Sequence, residues 1–158
     1  MYKILEAEKL AANIYRMVVD APRVAKHCLP GQFIIAKADD KGERIPLTIC
    51  DYDREAGTIT IVFMPIGVST MKFAELKAGD SFQDFVGPLG QPSELCDEEN
   101  LDQIRDKKIL FVAGGVGTAP VYPQVKWLHE HGIAADVIIG TRSHSTLIYR
   151  SEERRVGK

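Results

Sequence analysis

The stretch FVAGGVGTAP, Phe111–Pro120, decides how this chain is read. It continues an apolar run, Lys108–Val112, and three of its residues, Gly114, Gly115 and Gly117, are glycines. An apolar strand that empties into such a turn predicts a phosphate cradle, because glycine lets backbone N–H groups approach an anion closely. The spacing is not the G-x-G-x-x-G of a dinucleotide fingerprint. Downstream, Thr118 is placed to cap a helix, Pro120 fits its first turn, and Val121, Val125 and Leu128 share one face. Gly132 stops that helix, with Lys126, His129 and His131 near its carbonyl end, and ADVIIGTR (135–142) is the next strand. Strand, helix and strand within about 35 residues form a βαβ unit, and its sheet is parallel.

The residues before this unit read differently. NIYRMVVDA (13–21), QFIIAKA (32–38), IPLTICDY (45–52) and TITIVFM (58–64) are short and rich in β-branched and aromatic residues. Pro30-Gly31, Asp39–Gly42 and Asp53–Gly57 punctuate them, as turns between antiparallel strands do. GVSTMKFAELKAGD (67–80) breaks the series with a helix, capped by Ser69 or Thr70 and stopped at Gly79. SFQDFVGPLGQP (81–92) reads as a last strand and its exit. The fold class is mixed β and α/β: an antiparallel β-barrel followed by the first βαβ unit of a Rossmann-like domain. The polar, acidic stretch 91–107 joins them, which sets a barrel at 1–95, a linker at 96–107 and an incomplete unit at 108–149.

Composition narrows the function. The 158 residues are 45% hydrophobic and 27% charged with a net charge of −2, ordinary values for a globular protein. No basic cluster before the last residues offers a footprint for nucleic acid. No apolar run approaches the ~20 residues of a membrane span, and MYKILEAEKL lacks the marks of a signal peptide, so a cytoplasmic location is expected. Cys28, Cys50 and Cys96 are far apart and odd in number, which argues against a disulfide framework and against a C-x-x-C metal site. The four histidines read as surface residues, and no catalytic acid, base or nucleophile stands out.

Two places in the barrel suit a large phosphorylated ligand. In ERIPLT (43–48) a proline fixes the backbone, and Thr48 offers a hydroxyl on a strand whose amides are able to hydrogen-bond a planar heterocycle. In Gly67-Val68-Ser69-Thr70 a glycine precedes a hydroxyl-bearing helix start, where free N–H groups and the helix dipole favour an anion. Taken alone, each is as readily an ordinary strand or an ordinary cap.

The order of PGQF (30–33), GERIPLT (42–48), DYD (51–53), G-x-S-T (67–70), GPLG (87–90) and VAGGVGTAP (112–120) resembles the ferredoxin–NADP reductase superfamily. Within it, the chain is most similar to the branch of dihydroorotate dehydrogenase electron-transfer subunits, sulfide-dehydrogenase-type reductases and the small subunits of NADH-dependent ferredoxin–NADP oxidoreductases. The resemblance covers residues 2–149. It implies a barrel that binds FAD and a second unit that binds NAD(P)H. By resemblance Pro46, Leu47 and Thr48 lie at the isoalloxazine and ribityl side, with Val62, Phe63 and Met64 on the adjoining strand. Gly67, Ser69 and Thr70 lie at the pyrophosphate. Gly114, Gly115, Gly117, Thr118 and Pro120 face the nicotinamide nucleotide. One departure matters: the superfamily often has arginine where Ile45 stands. Arg44, one place earlier, is the candidate for the flavin phosphates, and on a strand one place means the opposite face.

The implied function is flavin-dependent electron transfer between NAD(P)H and a ferredoxin or iron–sulfur partner, within a hetro-oligomer containing a larger flavin and iron–sulfur subunit. A 2Fe–2S cluster is expected only in a complete parent, whose further residues supply the ligands. The rival readings are an FAD-binding module without turnover, a dihydroorotate dehydrogenase subunit, and a partner-docking barrel without cofactor. Arg150–Lys158, RSEERRVGK, is unlike the family's continuation and corresponds codon by codon to a common sequencing adaptor. It is expected to be an assembly artefact.

Overall fold

The computed structural model describes residues 1–150, and Ser151–Lys158, most of the stretch read as adaptor-derived, lie outside the described residues. Tyr2–Ala11 (β1) and Ile14–Asp20 (β2) form a hairpin about Asn13, whose φ is +61°. A short helix, Pro22–His27 (α1), leads to Phe33–Lys37 (β3), Ile45–Asp53 (β4) and Thr58–Phe63 (β5). Val68–Glu75 (α2) then precedes Ser81–Phe82 (β6) and Asp84–Leu89 (β7). The antiparallel order is β6-β1-β2-β5-β4-β3-β7. The two edge strands are joined through Gln83, whose N–H donates to Lys37 O at 2.9 Å, so the sheet nearly closes into the expected barrel.

Sequence pattern left β1 and α1 without an element. Leu5–Leu10 is rich in good helix formers, but pairing with β2 and β6 makes it a strand, a case of tertiary context overriding propensity. The single strand expected at 81–92 is two, divided at Gln83. The α2 cap is Gly67 rather than Ser69 or Thr70, and its last turn closes at Leu76, before Gly79.

Alternation fills the barrel with Ile4, Met17, Val19, Ile34, Ile49, Ile59 and Ile61, all essentially inaccessible. From α2, Phe73 plugs this core, edge-on to Phe63 and Phe82 at 6.0 and 5.0 Å between ring centres.

The stretch expected as a linker, 96–107, starts at the last residue of a short helical turn, Glu94–Cys96, and holds a second turn at Glu98–Asn100 and the helix Leu101–Ile104 (α3). Their buried Cys96 and Ile104 pack with Trp127, Leu128 and Ile133. Ile109–Gly114 (β8), Tyr122–Glu130 (α4) and Ala135–Gly140 (β9) form the βαβ unit, with β8 and β9 parallel from Ile109↔Ala135 to Gly114↔Gly140. Helix α4 begins later than expected, because Gly115–Thr118 first makes a 3₁₀ turn and Pro123 takes the first turn in place of Pro120. Ile109, Phe111 and Ala135 pack on the Trp127–Leu128 cluster, whereas Leu110, Val112 and Ile138 on the other face are 56, 71 and 55% exposed. The two units meet through Ile14, Cys50, Val62, Ala119 and Ile148, and through Lys126 Nζ, 2.8 Å from Asp51 Oδ1. Burial works against the Lys126 charge, but the hydrogen bond and attraction from Asp51 outweigh it and hold the ammonium above its ordinary pKa.

Two measurements follow from this packing. Phe73→Ala should lower unfolding stability by about 3–5 kcal/mol, read from the denaturant midpoint, since it removes a ring buried from all sides. Burial pushes Cys28 up to about 11, Cys96 up to about 12 and Cys50 further still. The native chain near pH 8 should therefore resist dithionitrobenzoate at all three thiols, and urea should expose them to rapid reaction.

Candidate functional site

Strand β4 pairs with β3 along Ile45–Thr48 but with β5 only from Ile49 onward. Strand β5 meanwhile stays with β2 through Phe63. The two strands part, and a cleft of about 370 Å³ opens between Pro46–Thr48 on one side and Val62–Met64 on the other. Val116, Gly117 and Pro120 from the glycine-rich turn close it, and Ile66 and Thr70 stand at its α2 end. This is within the size range of small-molecule sites. Its walls are apolar apart from the Thr48 and Thr70 hydroxyls, the Cys50 thiol and the backbone, as an aromatic heterocycle with a polar rim requires.

The α2 terminus suits an anion. Thr70 Oγ1 accepts from the N–H groups of Ile66 and Gly67, both at 3.0 Å, and fixes the loop. A Cβ built on Gly67 would meet no heavy atom within 4 Å, so the approach is open. The first-turn amides of a helix have no intrahelical acceptor and carry its positive dipole end. Among the described residues, the nearby cations Arg44 and Lys72 are already paired: Arg44 Nη2 lies 2.8 Å from Asp84 Oδ2, and Lys72 Nζ lies 3.1 Å from Asp39 Oδ2. The Lys72 hydrogen bond holds Asp39 below the usual carboxylate range.

A second cleft, of about 740 Å³, adjoins the first and shares Met64 and Val116 with it. Its walls are Ala12–Ile14 from the barrel, Gly114 and Gly115 from the turn, and Gly140–Arg142 with Thr146 beyond β9. Gly115 takes a positive φ of 54°, and a Cβ there or at Gly117 would meet no atom within 4 Å. The glycines therefore leave room beside bare backbone, as a nucleotide that approaches the chain requires. A third depression, lined by Arg16 and Asp51, has its charges already paired, Arg16 with Glu6 and Glu8 and Asp51 with Lys126.

Of the residues singled out in the sequence, Pro46, Leu47, Thr48, Val62, Phe63, Met64, Thr70, Gly117 and Pro120 line the first cleft, and Gly114 and Gly115 line the second. Gly67 caps α2 between lining residues Ile66 and Thr70. Arg44 is held by Asp84, and Ile45, on the opposite face, lines the cleft instead. Ser69 is buried and its hydroxyl donates to Glu43 Oε2 at 3.3 Å. Thr118 is fully buried, and its Oγ1 has no hydrogen-bond partner among the described residues. The sequence did not single out Val116, although it lies between two glycines that were, nor Asn13, whose turn position was the available signal. Among the described residues no group of three or more His, Cys, Asp or Glu side chains is placed to hold a metal ion. No helix among them is long and apolar enough to cross a membrane.

No family model matches the chain. It is 58% identical over 152 residues to an uncharacterized protein in the adh 3′ region of Clostridium beijerinckii, covering 96% of this chain and 51% of that one. It is 36% identical over 154 residues to a Thermotoga maritima homolog of the dihydroorotate dehydrogenase B (NAD⁺) electron-transfer subunit, covering 98% and 52%. Among solved structures, that of an NADH-dependent reduced ferredoxin–NADP oxidoreductase matches all of this chain and 54% of its own, at a TM-score of 0.88 and 34% identity. Phthalate dioxygenase reductase shares the fold, with a TM-score of 0.74 at 21% identity over 96% of this chain and 46% of its own. The chain thus spans about half the length of the curated relatives it matches. Over that span it is a homologue of the dihydroorotate dehydrogenase B electron-transfer subunits and shares the fold of the ferredoxin–NADP reductase-type oxidoreductases.

Proposed function

We propose that this chain holds FAD in the cleft where β4 and β5 part, takes reducing equivalents from NAD(P)H in the adjoining cleft, and serves an iron–sulfur partner. The observation that carries this reading is the junction of the two clefts at Met64 and Val116, which brings the barrel motifs and the glycine-rich turn to one place. Bound FAD would supply the redox chemistry, accepting a hydride and releasing electrons singly. The chain's own part is placement. Thr48 and the backbone of Pro46–Thr48 hold the ring's polar edge, and Val62–Met64 cover its face. The α2 terminus at Gly67–Thr70 receives the pyrophosphate, and the bare backbone at Gly114–Gly117 receives the nicotinamide nucleotide.

A barrel at 1–95 thus carries the flavin, and 108–149 carries part of the nucleotide site. The relatives named as electron-transfer subunits support a hetero-oligomer with a larger flavin or iron–sulfur subunit, and ferredoxin is the proposed further partner. A 2Fe–2S cluster, if the parent protein holds one, takes its ligands from residues outside this chain. The proposed location is the cytoplasm, and a dihydroorotate dehydrogenase acceptor fits the same scheme. The exposed Leu110–Val112–Ile138 face favours a second reading for the isolated chain, which is FAD binding with little turnover.

Reconstitution with FAD tests this directly. The wild-type chain should retain flavin through gel filtration, Thr48→Ala should weaken binding about fivefold to tenfold, and Ser69→Pro should weaken it further by removing a first-turn N–H offered to the anion and the hydroxyl bonded to Glu43. Arg44→Ala should change affinity by no more than about twofold, its charge being exposed and committed to Asp84. Unaltered flavin affinity in both Thr48→Ala and Ser69→Pro would overturn the site. Anaerobic NADH should bleach the flavin slowly in this chain, and rapid stoichiometric bleaching would overturn the second reading.

A further inference from the structure

The barrel wall of the larger cleft carries a single polar side chain, that of Asn13, at the corner of the β1–β2 hairpin. Across the ladder Tyr15 lies opposite Phe63, which brings Ile14 and Asn13 alongside Met64 and the residue after it. Met64 also lines the flavin cleft, so Asn13 stands at the end of the nucleotide cleft nearest the flavin. Arg142 stands at the other end, beyond the close of β9. Between them, Thr141 and Thr146 already donate their hydroxyls to Ser143 O, each at 2.9 Å.

We propose that Asn13 is a positioning residue that holds the carboxamide of the nicotinamide ring and so fixes which face the ring turns to the flavin. The inference rests on NAD(P)H occupying this cleft. A left-handed backbone accounts for a glycine, asparagine or aspartate at the corner. Only the asparagine carboxamide offers both a donor and an acceptor, the complement of a primary amide on the ligand. A barrel residue in this role also explains why the hairpin tip forms a wall of the second cleft rather than ending short of it. With one contact from the barrel and the rest from the βαβ unit, the nicotinamide is held between the same two units that hold the flavin.

The test uses the full chain loaded with FAD and follows equilibrium binding by flavin fluorescence. The ligands are NAD⁺, 3-acetylpyridine adenine dinucleotide, which keeps an acceptor but lacks the amide donor, and ADP-ribose, which lacks the ring. Asn13→Gly keeps the left-handed corner, and Asn13→Ala removes the amide in a residue less suited to it. In both, NAD⁺ should bind about tenfold more weakly, the acetylpyridine analogue about threefold, and ADP-ribose as in wild type. Unchanged NAD⁺ affinity in both variants would overturn the role, as would equal losses for NAD⁺ and ADP-ribose, which mark a hairpin that merely collapsed. Equal wild-type affinities for NAD⁺ and ADP-ribose would also overturn it, while leaving the nucleotide cleft itself standing. A wild-type chain that binds none of the three would overturn the nucleotide reading and this inference together.

Discussion

One irregularity in β4 governs both the cleft and the joint between the units. Ile49 lies opposite Ile61 and Asp51 opposite Thr60, so Cys50 is the extra residue of a bulge. In a regular half-buried strand, neighbours face opposite sides and one of them meets solvent. Here both are buried, Ile49 in the barrel core and Cys50 against Ala119 and Ile148. The next residue, Asp51, meets Lys126 of α4. Before the bulge β4 leaves β5 and runs with β3, which opens the space read as the flavin site. Bulges re-aim strands in this way next to functional sites. A register slip of one residue would therefore misplace the core, the joint and the cleft at once.

What was legible in the sequence was what local chemistry dictates. Pro46 and Thr48 needed only their strand, and the glycines from Gly114 to Gly117 needed only the turn after β8. Alternation also separated Arg44 from Ile45, and the structure shows why that matters: Ile45 faces the cleft while Arg44 reaches Asp84, forty residues along the chain. Contacts of that range leave no local trace. The same holds for Ser69, whose partner Glu43 lies 26 positions away, and for Asn13, whose place in a cleft wall depends on how two units meet. Strand β1 was hidden because its residues favour helix until β2 and β6 pair with it. Cys96 and Ile104 were hidden in a polar stretch because a few scattered apolar side chains, with Leu95 and Leu101 beside them, dock short helices on Trp127 and Leu128.

The two clefts differ in what stabilises them. The flavin cleft is a parting of strands in a barrel with its own core, so its walls are ordered before a ligand arrives. The nucleotide cleft has one wall in the barrel and the other on a two-stranded parallel sheet packed on one face only. Parallel sheets are ordinarily covered on both faces. With Leu110, Val112 and Ile138 bare, that wall has less packing to hold it than the barrel wall, and on the proposed reading part of the nucleotide-binding energy would go to ordering it. On the proposed reading flavin binding would therefore be the more autonomous of the two functions, although the turn at Val116–Pro120 adjoins both clefts.

Electrostatics sharpen this contrast. Around α2, Arg44 and Lys72 are committed to Asp84 and Asp39, and the Ser69 hydroxyl in its first turn is committed to Glu43. Attraction for a pyrophosphate there comes from backbone amides and the helix end, which act only at contact distance and reward correct placement. In the second cleft Arg142 is in no ion pair among the described residues, so its charge acts over a longer range and less selectively. On the proposed reading the flavin phosphates would be recognised by geometry and the nicotinamide nucleotide's phosphates by charge. That division suits a cofactor that stays bound and a substrate that must leave after each hydride transfer, since short-range backbone contacts hold a ligand while a solvated arginine mainly guides its arrival.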